Sequence, residues 1–181
     1  LLEKVYDKIV EKGAALTGIK RKLFFWALEL AEKYDPAKSQ GFLYEMQLNL
    51  AQKLVLSKWK EGLGGELDLI VSGSAPLQQR LARAFSAAGM LVMEGYGLTE
   101  TSPVISVNSS LNSNYKLGTV GRPLPNVEVK IATDGEILTK SACVMLGYYK
   151  DDEKTAQVIK DGYFHTEDIG ELDKDGFLRI T

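Results

Sequence analysis

The sequence predicts an α/β fold: a helical segment, then a βαβ unit of a parallel sheet, then a β-rich subdomain. Three observations predict it. Apolar residues recur every three to four positions through residues 1–62, the helical period. Two short apolar runs, residues 67–71 and 90–93, flank a helical repeat of Leu77, Leu81 and Phe85. From Gly118 onward apolar and polar residues alternate between Asp-Gly turns, the strand period.

The elements follow in order. Leu1/Leu2, Val5/Tyr6 and Ile9/Val10 make one apolar stripe, with Glu3-Lys4, Asp7-Lys8 and Glu11-Lys12 in the gaps. A second helix is predicted from Ile19 to Tyr34, stopped by Asp35-Pro36. A third runs from Phe42 to Lys60, with Leu43, Met46, Leu50 and Leu54 on one stripe; Gly62, Gly64 and Gly65 end it. Residues 1–65 therefore form the helical segment.

Residues 66–117 form the α/β portion. Strand 67–71 leads through the small-residue loop Ser72-Gly73-Ser74-Ala75-Pro76 into a helix, which Gly89 ends in the left-handed position before strand 90–93. The two strands are expected to lie parallel with a right-handed crossover. Residues 118–181 form the β-rich subdomain. Val127, Val129 and Ile131 alternate with Glu128, Lys130 and Ala132, and Asp134-Gly135 turns the chain into Glu136-Ile137-Leu138-Thr139. A short helix spans 151–158, capped by Asp151 or Asp152. A second hairpin pairs residues 165–172 with 177–181. The helical start and the strand at Thr181 read as a piece of a longer protein, cut at both ends, with the β-rich subdomain truncated at its C-terminal end.

Composition excludes several classes. The 22 Lys and Arg against 24 Asp and Glu leave a net charge of −2, which argues against a nucleic-acid partner. One Cys and one His allow neither an internal disulfide nor a four-ligand zinc site. The most apolar run, residues 23–30, is too short to span a membrane and contains Glu29. No signal-peptide pattern is present, so a reducing, cytoplasmic setting is expected.

In an open α/β sheet, ligands bind past the carboxyl ends of parallel strands. Two loops of the βαβ unit are expected there: residues 72–76, and Gly95-Tyr96-Gly97-Leu98-Thr99-Glu100. Tyr96 between two glycines offers an open ring face for a purine. Thr99 offers a hydroxyl for a phosphate oxygen, and Glu100 a carboxylate for Mg²⁺. Alone, these residues read equally well as a glycine-punctuated turn with a capping Thr. Downstream, Asp168 lies in Phe164-His165-Thr166-Glu167-Asp168-Ile169-Gly170. It could accept the hydroxyls of a ribose, as acidic residues do in dinucleotide sites, or serve as a turn carboxylate.

Together, Tyr-Gly-Leu-Thr-Glu at 96–100, Gly118-Thr119-Val120-Gly121-Arg122-Pro123, Met145-Leu146-Gly147-Tyr148-Tyr149 and Phe164-His165-Thr166-Glu167-Asp168 resemble the AMP-forming acyl-CoA synthetases of the adenylate-forming superfamily. The resemblance covers nearly the whole chain and implies part of the large N-terminal domain of such an enzyme. It implies that Tyr96, with Gly95 and Gly97, stacks on adenine. Gly73, Ser74 and Ala75 line the adenine and acyl side, Thr99 holds the α-phosphate, and Glu100 binds Mg²⁺. Asp168 binds the ribose, with Ile180 near it. The implied reaction consumes ATP and a carboxylic acid, forms acyl-AMP, and passes the acyl group to coenzyme A. Helices like those of residues 1–62 are typical of long-chain members, which points to a fatty acid.

The chain departs from the family at two places. Glu167 stands where a Gly is usual, and Ser141-Ala142 where Gly-Pro is usual. The family's glycine-rich phosphate loop is expected upstream, its hinge Arg just beyond Thr181, and its catalytic Lys in a C-terminal domain. The parent is thus expected to be a ligase and this piece not to turn over. The competing reading is a non-catalytic α/β module that keeps only the shape of a nucleotide or acyl pocket. His165 is expected at a polar core or edge position, and Cys143 as a small buried hydrophobe. Lys20-Arg21-Lys22 followed by Leu23-Phe24-Phe25-Trp26 reads first as a packed helix with a solvated start, and second as a peripheral membrane contact.

Overall fold

The computed structural model describes residues 1–73, 77–109 and 114–181. They divide into two compact units. The first is Leu1–Val71 with Leu77–Val92; the second is Met93–Thr181 with the segment that begins at Ser72.

The first unit is helical. It contains α1 (Leu2–Ala14), α2 (Gly18–Lys33) and α3 (Phe42–Ala51), which continues through a π-helical turn (Gln52–Leu56) into α4 (Ser57–Gly62). It also holds most of β1 (Leu69–Ser72) and α5 (Gln79–Ala87). Gly13 lets α1 approach α2: a Cβ there would sit 2.1 Å from the Phe24 ring. Phe24 then packs against Trp59, ring centroids 6.2 Å apart. From α5, Leu81, Ala82, Ala84 and Phe85 are fully buried. The Arg83 guanidinium donates to Tyr34 O at 2.8 Å, satisfying a carbonyl at the end of α2.

The expected stripe of the third helix faces the wrong way. Leu43 is 70%, Met46 54% and Leu50 50% exposed, while Leu48, Ala51, Leu56 and Trp59 enter the core. This helix is apolar on two faces, and polar tethers choose between them. Tyr44 donates to Leu30 O at 2.7 Å and Gln52 to Ala87 O at 2.8 Å, which turns their face inward. In α2 the packed-helix reading describes Phe24, Ala27, Leu28, Leu30 and Ala31, all buried. Leu23 and Phe25 stay partly exposed beside Lys20, Arg21 and Lys22. Among the described residues, no helix is long and apolar enough to cross a membrane.

Strand, helix and strand follow in the expected order, with β1 beside β2 (Leu91–Gly97). Beyond β2 the sheet is antiparallel. β2 pairs antiparallel with β3 (Val104–Val107), and β3 antiparallel with β4 (Arg122–Pro123). The strand period of β3 is only four residues long and follows two turns, so the sequence pattern does not register it.

The second unit carries a further sheet. Its order is β5 (Glu128–Ile131), β6 (Glu136–Lys140), β8 (Tyr163–Leu172) and β7 (Ile159–Lys160), with β9 (Leu178–Ile180) also on β8. Helix α6 (Asp152–Val158) precedes β7, and the Asp151 carboxylate accepts from Lys154 N at 2.9 Å as its cap. Ile137, Phe164, Phe177 and Leu178 make the apolar core here. Gly121, at φ 82°, packs so tightly under β3 that a Cβ would lie 2.1 Å from Val107 O. Cys143 is exposed rather than buried, because its segment is a turn outside the strands.

The turn between β8 and β9 is organised by Asp173, which accepts from Asp175 N at 2.9 Å, from Phe177 N at 3.0 Å, and from the Lys116 ammonium. The Lys116 hydrogen bond, followed by these amides, holds the Asp173 carboxyl down at about 2. Its contribution is therefore complete above the ordinary carboxylate value, about 3.9, and is lost as pH falls through about 2. Asp173→Asn is expected to flatten the acid limb of the stability curve between about pH 4 and 2. Denaturant midpoints across that window test this; an unchanged slope would remove Asp173 from acid unfolding.

Candidate nucleotide site

Gly95 and Tyr96 do not form a loop. They extend β2, with Gly95 opposite Val107, Tyr96 opposite Ser106 and Gly97 opposite Val104. The register shifts between Tyr96 and Gly97, where the chain leaves the sheet. Gly97 is required by close approach: a Cβ there would lie 1.8 Å from Pro103 O. Gly95 has ordinary clearance, 3.6 Å from its Cβ position to Ser106 O. Gly73 comes up beside it, its Cβ position 3.6 Å from Gly95 O. Ser74 and Ala75, the other expected lining residues, lie outside the described residues.

Beyond Gly97 the chain turns through a 3₁₀ segment, Thr99–Thr101. Thr101, 2% exposed, holds this turn. Its hydroxyl accepts from Leu98 N at 3.0 Å and donates to the carbonyl of Pro103. Ser102 closes the turn at φ 58°. Thr99 is thereby left exposed with its hydroxyl available. Sequence reasoning missed Thr101. A Thr directly after the acidic residue of a tight turn was the available signal.

Glu100 is held at two points. Its carbonyl accepts from Met145 N at 2.7 Å, and its Oε1 accepts from the Tyr148 hydroxyl at 2.9 Å. The hydrogen bond to Glu100, then burial, pushes the Tyr148 phenol up, so it stays a donor at neutral pH. Tyr148 is itself fixed by its N–H, which donates to Thr155 Oγ1 at 2.9 Å. The Met-Leu-Gly-Tyr-Tyr segment thus meets the Tyr-Gly-Leu-Thr-Glu segment through Tyr148, a residue with no role in the sequence reading. Oε2 of Glu100 remains available. Among the described residues, no group of three or more His, Cys, Asp and Glu could hold a metal ion. A Mg²⁺ fitting Glu100 would complete its oxygen shell from phosphates and water, the usual arrangement for that ion.

The Tyr96 hydroxyl donates to Asp168 Oδ2 at 2.8 Å. Burial, reinforced by the Asp168 carboxylate, pushes the Tyr96 phenol up, so the bond persists across the physiological range. Asp168 sits in a bulge of β8. Glu136 pairs with Ile169 but Leu138 with His165, so β8 fits two extra residues between them. Glu167, inside the bulge, has φ 61°. That is the left-handed region, which explains the glycine usual there and makes the departure a backbone matter. Ile180 stands opposite Gly170, two residues along β8 from Asp168. His165 is half-buried on β8, a strand flanked by β6 and β7, with its Nδ1 2.8 Å from Glu136 Oε2.

A left-handed backbone costs an L-residue roughly 1–2 kcal/mol, and glycine returns about 0.4–1 kcal/mol of that as unfolded-state entropy. Glu167→Gly is therefore expected to stabilise the protein by about 0.5–1 kcal/mol. Thermal denaturation tests it. An unchanged or lower Tm would mean that the Glu167 side chain makes an interaction that offsets the strain.

The profile described as AMP-binding enzyme matches residues 19–149. The chain is 38% identical to the long-chain-fatty-acid–CoA ligase FadD15 of Mycobacterium bovis, over 100% of this chain and 30% of that protein. Among solved structures it is similar to the amide bond synthetase McbA from Marinactinospora thermotolerans, with TM-score 0.59 and 34% identity over 75% of this chain and 29% of that one. It is also similar to the O-succinylbenzoate coenzyme A synthetase MenE from Bacillus subtilis in complex with ATP and magnesium ion. There the TM-score is 0.57 and the identity 30%, over 68% of this chain and 29% of that one. The chain spans about 30% of the length of the curated relatives it matches.

Proposed function

This chain belongs to the AMP-binding enzyme family, and from that premise we propose that it is the nucleotide-recognising part of a ligase joining a long-chain fatty acid to coenzyme A through an acyl-adenylate. One observation carries the reading: the 2.8 Å hydrogen bond between Tyr96 and Asp168 unites two segments that separately read as turns. It puts an aromatic platform and a ribose-type carboxylate in one place. A module keeping only a pocket's shape has no need of that pairing.

The geometry supports the following roles. Tyr96 offers its ring to adenine while its hydroxyl is committed to Asp168. The remaining oxygen of Asp168 accepts ribose hydroxyls. Thr99, exposed on the 3₁₀ turn, donates to the α-phosphate. Glu100 would hold the magnesium of ATP through Oε2, and that ion would neutralise phosphate charge. A fatty-acid carboxylate oxygen then attacks the α-phosphorus; the bond to the bridging oxygen breaks and pyrophosphate leaves. In the second step the thiolate of coenzyme A attacks the acyl carbon and AMP departs. The contribution of this chain is positioning and charge stabilisation, with further groups supplied by the rest of the enzyme.

The fatty-acid substrate is supported by the 38% identity to a long-chain-fatty-acid–CoA ligase. The fold alone does not choose the acceptor, since an amide bond synthetase shares it. Binding of a non-hydrolysable acyl-adenylate by the intact protein tests the assignment, and no binding would sink it. Glu100→Gln keeps an acceptor for Tyr148 but removes the charge. It is expected to lower ATP–pyrophosphate exchange about 100-fold with an unchanged Tm. Full exchange activity would exclude Glu100 from the metal role.

A further inference from the structure

We propose that Glu136 is a positioning residue for ribose recognition: its carboxylate shapes the β8 bulge that aims Asp168 at the nucleotide. The inference rests on the reading of Asp168 as the ribose ligand. Glu136 opens β6, and its side chain is only 15% exposed. Both carboxylate oxygens are used on β8. Oε1 accepts from Glu167 N at 2.9 Å, and Oε2 pairs with His165 Nδ1 at 2.8 Å. The two anchors bracket Thr166, on the strand that must fit its extra residues there.

The left-handed turn at Glu167 takes its N–H out of the regular ladder. An N–H without a partner would favour a flatter strand, in which each residue faces its opposite. Flattening a bulge of two extra residues would shift β8 by two positions, about 7 Å along the strand, and so carry Asp168 away from Tyr96. Glu136 supplies the missing acceptor with a charge-assisted hydrogen bond. Thr166 secures the other limb. Its hydroxyl donates to Ile137 O at 2.8 Å and accepts from Asp168 N at 3.2 Å. The chain from Glu136 through the bulge to Asp168 and Tyr96 is continuous.

The test compares ATP and 2′-deoxy-ATP in the intact protein. A carboxylate fixed on the ribose hydroxyls should favour ATP about 10-fold to 100-fold, the worth of a hydrogen bond to a charged group. Glu136→Ala is expected to bring that ratio to within about twofold, as is Asp168→Ala. Glu136→Gln retains an acceptor for Glu167 N and is expected to keep most of the discrimination. If Glu136→Ala does not fold, Thr166→Val removes the other anchor and is read in the same way. A merely structural role lowers Tm or the amount of active protein but leaves the ratio unchanged. A native protein that discriminates, with Glu136→Ala or Thr166→Val discriminating equally, overturns this inference alone. A native protein that binds the two nucleotides equally overturns the ribose reading, and this inference with it.

Discussion

The hydrogen bond that Tyr96 donates to Asp168 joins residues 72 positions apart, and each partner is held by backbone geometry before the bond forms. Tyr96 is fixed by the pairing of β2 with β3, and Asp168 by a bulge in β8. Neither side chain has to be recruited from a mobile loop, so little conformational entropy opposes their meeting. The phenol is partly buried and stays protonated, which makes the bond directional from Tyr96 to Asp168. One carboxylate oxygen is used and the other left over. The same interaction therefore sets the spacing of platform and carboxylate and leaves the carboxylate with a free valence.

Around that bond, close approach is the recurring constraint. Gly97 is needed because Pro103 O occupies the space of a side chain, and Gly121 because Val107 O does. Once the chain is drawn in at Gly97, the following turn has little freedom. Thr101 satisfies the amide of Leu98 and so tightens it further. Thr99 and Glu100 emerge from a turn fixed from below, and Met145 and Tyr148 pin Glu100 from the other side. Preorganisation of this kind is what electrostatic stabilisation of a transferring phosphoryl group needs.

The helices, both hairpins and an aspartate cap at 151 or 152 were legible in the sequence because periodicity and turn chemistry are local; the structure selects Asp151. The candidate site was proposed by residue type: an aromatic residue between glycines, a hydroxyl and two carboxylates, of which the structure brings Tyr96 and Asp168 together. Three features were not legible. The stripe Leu43, Met46, Leu50 was read as a core face, but Tyr44 and Gln52 turn the opposite face inward through partners far along the chain. Gly95-Tyr96-Gly97 was read as loop, since two glycines argue against a strand; the pairing partner β3 overrides that local preference. Tyr148 and Glu136 carried no local signal at all. Their roles exist only once two segments meet, which no window of sequence contains.

Glu167 shows how such non-local bonds change what a position tolerates. By conformation alone the position asks for glycine, since φ is 61°. Glycine would relieve the strain but would also loosen the unfolded and the bulged states alike. With Glu there, the left-handed turn persists only because something outside the residue over-determines it. That is the Glu136 carboxylate on its amide and the Thr166 hydroxyl on the next one. The strain and its restraints lie one residue before Asp168. A substitution that appears, in sequence, to place a surplus charge beside the Asp168 carboxylate is in structural terms a test of how firmly the bulge is held. The position of Asp168 is set by the anchors rather than by the residue preceding it.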